Sequence, residues 1–247
     1  MECKIIIRSY KRADKVLATE VFETAKICVP ESQEIEYKEY NPNHEIVTHP
    51  DSVIGLPAKN NWMYKKFGSV FLCDDDIHSM RRMYAEKNEE QVVPKGKTDE
   101  IVEETYQLAK CLGIYLFALS KRYANMFYDS MEPIHLSGSV TGGMYGLREG
   151  SGLSWDEHIK TGEDHYISLL NAYYHRKCLI DDRFALQQKD TFARSGGLAE
   201  YRDKTTEKET FDFLRAEFGS AVQPKNQQNQ QRADKKNQFG RSLKIPF

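Results

Sequence analysis

Ser69-Val70-Phe71-Leu72-Cys73-Asp74-Asp75-Asp76 sets an uncharged run directly before three consecutive carboxylates. The run has no polar alternation. A strand apolar on both faces belongs in the middle of a sheet covered on both sides. Open α/β sheets bind ligands beyond the carboxyl ends of their strands, and these acids stand at such an end. Asp74 and Asp76, two apart in a tight turn, are spaced to face one ion together. Hard cations such as Mg²⁺ or Mn²⁺ take oxygen ligands and share coordination with substrate phosphates. The competing reading makes the acids the cap and first turn of a following helix. That accounts for one or two of them. Three adjacent carboxylates repel one another unless a cation intervenes.

Upstream, Lys4 to Arg8 is a β-branched run that reads as a buried first strand, followed by the loop Ser9-Tyr10-Lys11-Arg12. Ala13 to Phe22 has helical spacing. Ile27-Cys28-Val29 and Ile46-Val47-Thr48 read as further strands, with Ile35 to Tyr40 alternating weakly between them. Pro57 to Phe67 predicts a helix closed by Gly68. Downstream, Ile77 to Lys87 is expected as a helix and Gln91 to Lys97 as an exposed loop. Asp99 to Tyr123 predicts a long helix with acids early and bases late, Gly113 being a candidate interruption. Ile134 to Leu147 is glycine-rich and strand-like, and Glu163 to Arg176 is helical. Lys177 to Ile180 reads as a short strand ending at Asp181-Asp182-Arg183. Gly196-Gly197 marks a loop, and Thr206 to Phe218 an amphipathic helix closed by Gly219. Strands alternating with helices predict an α/β fold, a Rossmann-like mixed, mostly parallel sheet flanked by helices.

The 247 residues, 40% of them hydrophobic, suffice for one large domain with its own core. That domain is expected over residues 1–222, in two halves, 1–97 and 98–222. A basic, Gln/Asn-rich tail over 223–247 follows, expected to be mobile in the free protein. Its six basic side chains from Lys225 to Lys244 face only Asp234, a strip suited either to contact phosphates or to stay solvated. The net charge of −2 argues against nucleic-acid binding over the whole surface. The five cysteines include no CxxC pair, which argues against a disulfide framework or a structural zinc. The longest apolar stretch, Cys111 to Leu119, is far short of the ~20 residues of a membrane span. A soluble, cytoplasmic protein is the expectation.

In the loop after the first strand, Tyr10 is suited to stack on a base, and Arg8 or Arg12 to reach a phosphate. Ser9-Tyr10-Lys11-Arg12, Gly55-Leu56-Pro57-Ala58-Lys59-Asn60-Asn61 and Leu72-Cys73-Asp74-Asp75-Asp76 together resemble, in order and spacing, the family 2 glycosyltransferases of GT-A type. Those enzymes carry a Ser-Tyr-Asn-Arg-like loop, an Ala-Arg-Asn-like segment and an Asp-x-Asp turn. The resemblance implies that Ser9 and Tyr10 border the nucleoside, Asn60 or Asn61 contacts the uridine side, and Asp74 and Asp76 form the Asp-x-Asp. Asp75 falls among the donor-binding residues. The family also places a Glu-Asp pair at the start of a later helix. Gly162-Glu163-Asp164 matches it, with Asp164 the first and Glu163 the second choice for the base that deprotonates the acceptor hydroxyl.

Further motifs narrow the resemblance. Ser137 to Gly146, Gly162-Glu163-Asp164-His165, Asp181-Asp182-Arg183-Phe184 and Gly196-Gly197-Leu198-Ala199-Glu200-Tyr201-Arg202 are similar to segments of phage TET-associated glycosyltransferases. The likeness covers most of residues 4 to 220. It implies a metal-dependent hexosyltransferase acting in a phage-infected bacterial cell; one carboxylate poised as base, with no obvious second nucleophile, points to inversion. The donor would be a nucleotide sugar, a UDP-sugar, and the acceptor 5-hydroxymethylcytosine in DNA. Gly142, Gly143 and Gly146 either let backbone approach sugar or acceptor or mark a bulged strand. His165 and His175 are candidates to complete the metal shell. Arg183, Arg202, Lys235 and Arg241 are candidates for holding diphosphate or DNA phosphates, Arg183 pairing instead with Asp181 or Asp182 in the alternative. Two rivals are a sugar nucleotidyltransferase and a non-catalytic nucleic-acid-binding module on the same fold. The first lacks its Gly-rich loop with a following Lys after strand one; the second need not retain the acids.

Overall fold

The computed structural model describes residues 1–86, 90–120, 122–140, 142–189, 202–225 and 240–245. Gly196-Gly197 and Lys235 lie outside the described residues. Nine strands form one sheet. Four of them, β1 (Lys4–Arg8), β2 (Lys26–Pro30), β3 (Ile46–His49) and β4 (Val70–Asp74), run parallel in the order β3-β2-β1-β4. The sheet continues through β8 (Met144–Leu147), β6 (Leu116–Ser120) and β9 (Cys178–Gln188) to the edge strand β5 (Ile77–Arg82), with β7 (Ile134–His135) also on β9. Only β5, β7 and β8 oppose the common direction. The mixed, mostly parallel α/β sheet is therefore the one expected.

β4 sits in the middle and alternates between two cores. Phe71 and Cys73 face one that includes Tyr37 of α1 (Glu34–Tyr40) and Val102 and Tyr106 of α3 (Lys97–Cys111). Val70 and Leu72 face the other, with Met63 of α2 (Leu56–Phe67) and Ile167 of α4 (Glu163–His175). A third cluster joins α4 to α5 (Lys204–Phe218) and to β10 (Val222–Pro224). β10 pairs antiparallel with β11 (Arg241–Leu243), so both described ends of the basic segment are tied to the domain. Among the described residues, no helix is long and apolar enough to cross a membrane.

Several expectations need correction. Residues 77–82 form a strand, not a helix, so the three acids cap nothing helical. Ala13 to Phe22 folds as two 3₁₀ turns, Ala13–Lys15 and Leu17–Glu20, because the Ala18 amide donates to the Asp75 carbonyl (3.2 Å) instead of continuing a helix. Residues 34–40 are α1. The long helix stops at Cys111, and Gly113, at φ +67°, turns the chain into β6. Finally, β9 does not end at Asp181 but runs on to Gln188.

Candidate active site

β1 and β4 are neighbours in parallel register, with Arg8 opposite Asp74. Their carboxyl ends thus bring the first loop and the acidic turn together. Each acid meets a different environment. Asp74, the most open with its side chain 34% exposed, takes the Nη2 of buried Arg8 at 2.6 Å. Asp75 is buried; it accepts from Ser9 Oγ (2.5 Å) and pairs with Arg12 (3.0 Å). Asp76 is buried too, yet among the described residues no basic side chain pairs with it. Burial, then the charges of Asp74 and Asp75, push its carboxyl up to about 7. Gln188, at the end of β9, donates from Nε2 to both Asp74 Oδ2 (3.2 Å) and Asp76 Oδ1 (3.3 Å).

The first loop is locked rather than loose. Ser9 Oγ lies 2.7 Å from the hydroxyl of Tyr37, which accepts from the Arg12 amide (3.0 Å). Buried Lys59 donates to the Ser9 carbonyl at 2.7 Å. Burial drops its ammonium to about 8. Tyr10 is half-buried, with Lys11 Nζ 5.0 Å from its ring centroid. Asn60, fully buried, accepts from Arg8 Nη1 (3.3 Å) and approaches Tyr145 Oη (3.4 Å). Asn61 exchanges hydrogen bonds with the backbone of Trp155 (2.8 Å each way). In this structure Asn60 is thus held within the core by Arg8 and Tyr145, and half-buried Asn61 is held by Trp155 and Glu157. Arg8 spends Nη1 and Nη2 on Asn60 and Asp74, and its Nε has no hydrogen-bond partner among the described residues.

The glycine-rich segment passes directly over the acids. The Asp74 amide donates to the Gly143 carbonyl at 2.8 Å, and a Cβ on Gly143 would stand 1.7 Å from Asp74 Oδ2. Glycine is required there by close approach. Gly142, at φ +77°, donates its amide to Asp164 Oδ2 (2.9 Å). One strand-end segment thus touches both the acidic turn and the start of α4. A Cβ on Gly146 would enter the Phe117 ring.

At that helix start, two adjacent carboxyls are driven apart. Glu163 is buried with Arg8 Nη1 at 3.7 Å; burial, then the Asp164 charge, raises it to about 7. Burial acts on Asp164 as well, but His165, the Gly142 amide and Arg241 outweigh it and hold the group below the usual carboxylate range. Asp164 is also the more open of the two. The ionised partner, suited to accept a proton, is therefore Asp164.

The remaining candidates disperse. His165 Nδ1 accepts from Arg241 Nε at 3.0 Å. His175 bonds the Ser151 carbonyl (2.8 Å) and packs on Tyr115. Arg183 forks onto Asp181 through Nε (2.9 Å) and Nη2 (2.8 Å), the internal pairing. Arg202 and Arg241 converge on Glu207. Among the described residues, no three His, Cys, Asp or Glu side chains form a ready metal cage. The pair Asp74 and Asp76 still fits a hard cation, which typically takes one or two carboxylates and completes its shell with water and substrate phosphate. Gln188, Lys59 and Tyr37 escaped sequence reasoning: a lone amide carries no signal, and the other two lie outside any acidic or histidine motif.

No curated protein sequence matches this one. Among solved structures, S. aureus TarS 1-349 is similar over 75% of this chain and 59% of its own, with 11% identity and a TM-score of 0.49. S. aureus TarS is similar over 93% of this chain and 45% of its own, with 12% identity and a TM-score of 0.45. The chain thus spans roughly half the length of the TarS chains it matches. A family model described as TET-Associated Glycosyltransferase matches residues 3–197, which include the acidic turn, the glycine-rich segment and the Glu163-Asp164 pair. The chain belongs to the TET-associated glycosyltransferase family.

Proposed function

We propose that this protein transfers a sugar from a nucleotide-sugar donor, a UDP-sugar, to the hydroxyl of a hydroxymethylated pyrimidine in DNA, 5-hydroxymethylcytosine. The reading rests first on Asp76, a buried carboxyl beside Asp74 that lacks a basic partner among the described residues. An acid left so exposed to its neighbours' charge favours a cation. Asp74 and Asp76 would hold Mn²⁺ or Mg²⁺, with the Gln188 amide giving way. When bound, the ion supplies positive charge against the departing diphosphate.

The chain's own groups do the rest. Ser9, Tyr10 and Arg12 form the wall of the donor side. Asp164 accepts the proton of the acceptor hydroxyl. The freed oxygen bonds to the anomeric carbon while the bond from that carbon to the diphosphate oxygen breaks, its electron pair leaving with the diphosphate. With Asp164 as the single base and no second nucleophile assigned, the transfer inverts the anomeric configuration. A base within duplex must be flipped out to reach Asp164.

The test is nucleoside mass spectrometry after incubating hydroxymethylated DNA with a panel of nucleotide sugars, with Mn²⁺ or with EDTA. A sugar adduct formed only with metal is expected; no adduct from any donor overturns the reading. Asp76→Ala should keep the fold and lose metal-dependent donor binding. Full activity in that variant would remove Asp76 from the metal.

A further inference from the structure

The start of α4 is enclosed from a direction the family match does not include. That match ends at residue 197, whereas α5, β10 and β11 lie beyond it. β11 is held by its ladder to β10, and Leu243 and Ile245 pack onto the cluster around Leu169 and Leu214. This anchoring delivers Arg241, 6% exposed, to the turn that opens α4. Gly162 sits there at φ +73°, and a Cβ on it would lie 2.2 Å from Arg241 Nη2. Arg241 Nη1 bonds buried Glu207, and its Nε–H donates to His165 Nδ1 at 3.0 Å.

A guanidinium only donates and is always charged. Its bond to Nδ1 therefore makes that nitrogen an acceptor and leaves the imidazole proton on Nε2. The same His165 donates its backbone amide to Asp164 Oδ1 (2.8 Å), while Gly142 holds Oδ2. We infer that Arg241 is a positioning residue: the β10–β11 hairpin uses it to lock the ring and backbone of His165, and through them the orientation of the Asp164 carboxylate. The inference rests on Asp164 being the base of the transfer reaction. It means that the site is completed by a segment outside the family-matched residues.

Two measurements separate this role from its foundation. The first needs neither donor nor DNA. In ¹⁵N spectra the His165 ring should show a single tautomer with unprotonated Nδ1, and Arg241→Ala should release it to a mixture. A protonated Nδ1 in the wild-type protein overturns the inference. The second is steady-state transfer. Arg241→Ala should lower kcat at least tenfold, with KM for the donor within about twofold, and added guanidinium should restore part of kcat. Should Arg241→Ala fail to fold, Glu207→Gln, which loosens Arg241 but keeps it, should lower kcat in the same direction. Wild-type kcat in the variants beside an active wild-type control overturns Arg241's role alone. Absence of transfer in the wild type counts instead against the proposed function, and the tautomer then still decides the Arg241–His165 lock.

Discussion

Glu163 and Asp164 are chemically near-equivalent neighbours, yet one is held toward its neutral form and the other ionised. The difference lies in what each touches: Glu163 is buried against Arg8, and Asp164 receives two backbone amides beside His165. Asp164→Asn should therefore lower kcat by about 10²- to 10⁴-fold while leaving donor affinity unchanged by calorimetry; transfer near the wild-type rate would place the base elsewhere. Asp74, Asp76 and Asp164 could be singled out from the sequence as candidates because carboxylates in tight succession have few uses, and the structure gathers them around Gly142 and Gly143. The Arg183–Asp181 pairing was one of two readings the sequence offered, whereas the partners of Asn60, Asn61 and His175 could not be read from it, since they depend on the fold. Asn60 serves Arg8 and Tyr145, and Asn61 serves Trp155, all far away in sequence.

Elements were legible where periodicity was clean. β1, β4 and α2 fall within a residue or two of their expected bounds. β5 was not, for an identifiable reason. A register shift between Ile77 and Ser79 puts its buried positions, Ile77 and Met80, three apart rather than two, which imitates a helix. β6 was masked by running on from α3 through the short turn at Gly113. β8 could be placed only loosely, because its glycines are read by their neighbours, not by pattern. Gly146 is the sharpest case, crossing the Phe117 ring in the paired strand β6. Gly146→Ala should destabilise the fold by about 1–3 kcal/mol, the usual cost of overpacking. Urea denaturation measures this, and an unchanged midpoint would mean that the β6–β8 contact yields freely.

Across the whole molecule, residues 1–97 and 98–222 meet at the β4–β8 and β5–β9 pairings, and Lys59 is buried on α2. Its ammonium titrates at about 8 in the folded state against 10.5 normally. The unfolded chain therefore holds this proton more tightly. Lys59's contribution to stability is full above the unfolded value and is lost as pH falls through about 8. The span corresponds to about 3 kcal/mol. The stability of Lys59→Met relative to wild type, followed by denaturation, should fall as pH rises from 7.5 toward 10. A difference independent of pH would refute the assignment.

The hairpin that brings Arg241 to α4 also sets a timetable. Chains fold from the amino end as they are made, and contacts distant in sequence form late. The first four strands can pair once β4 has been synthesised, but Arg241 leaves the ribosome more than 160 residues after Asp74. A nascent chain would thus carry a formed acidic turn long before His165 is locked. A half-made protein would hold the turn at Asp74 to Asp76 while Asp164 still lacked the support of His165 and Arg241. That support would arrive as one late event in synthesis, not by degrees.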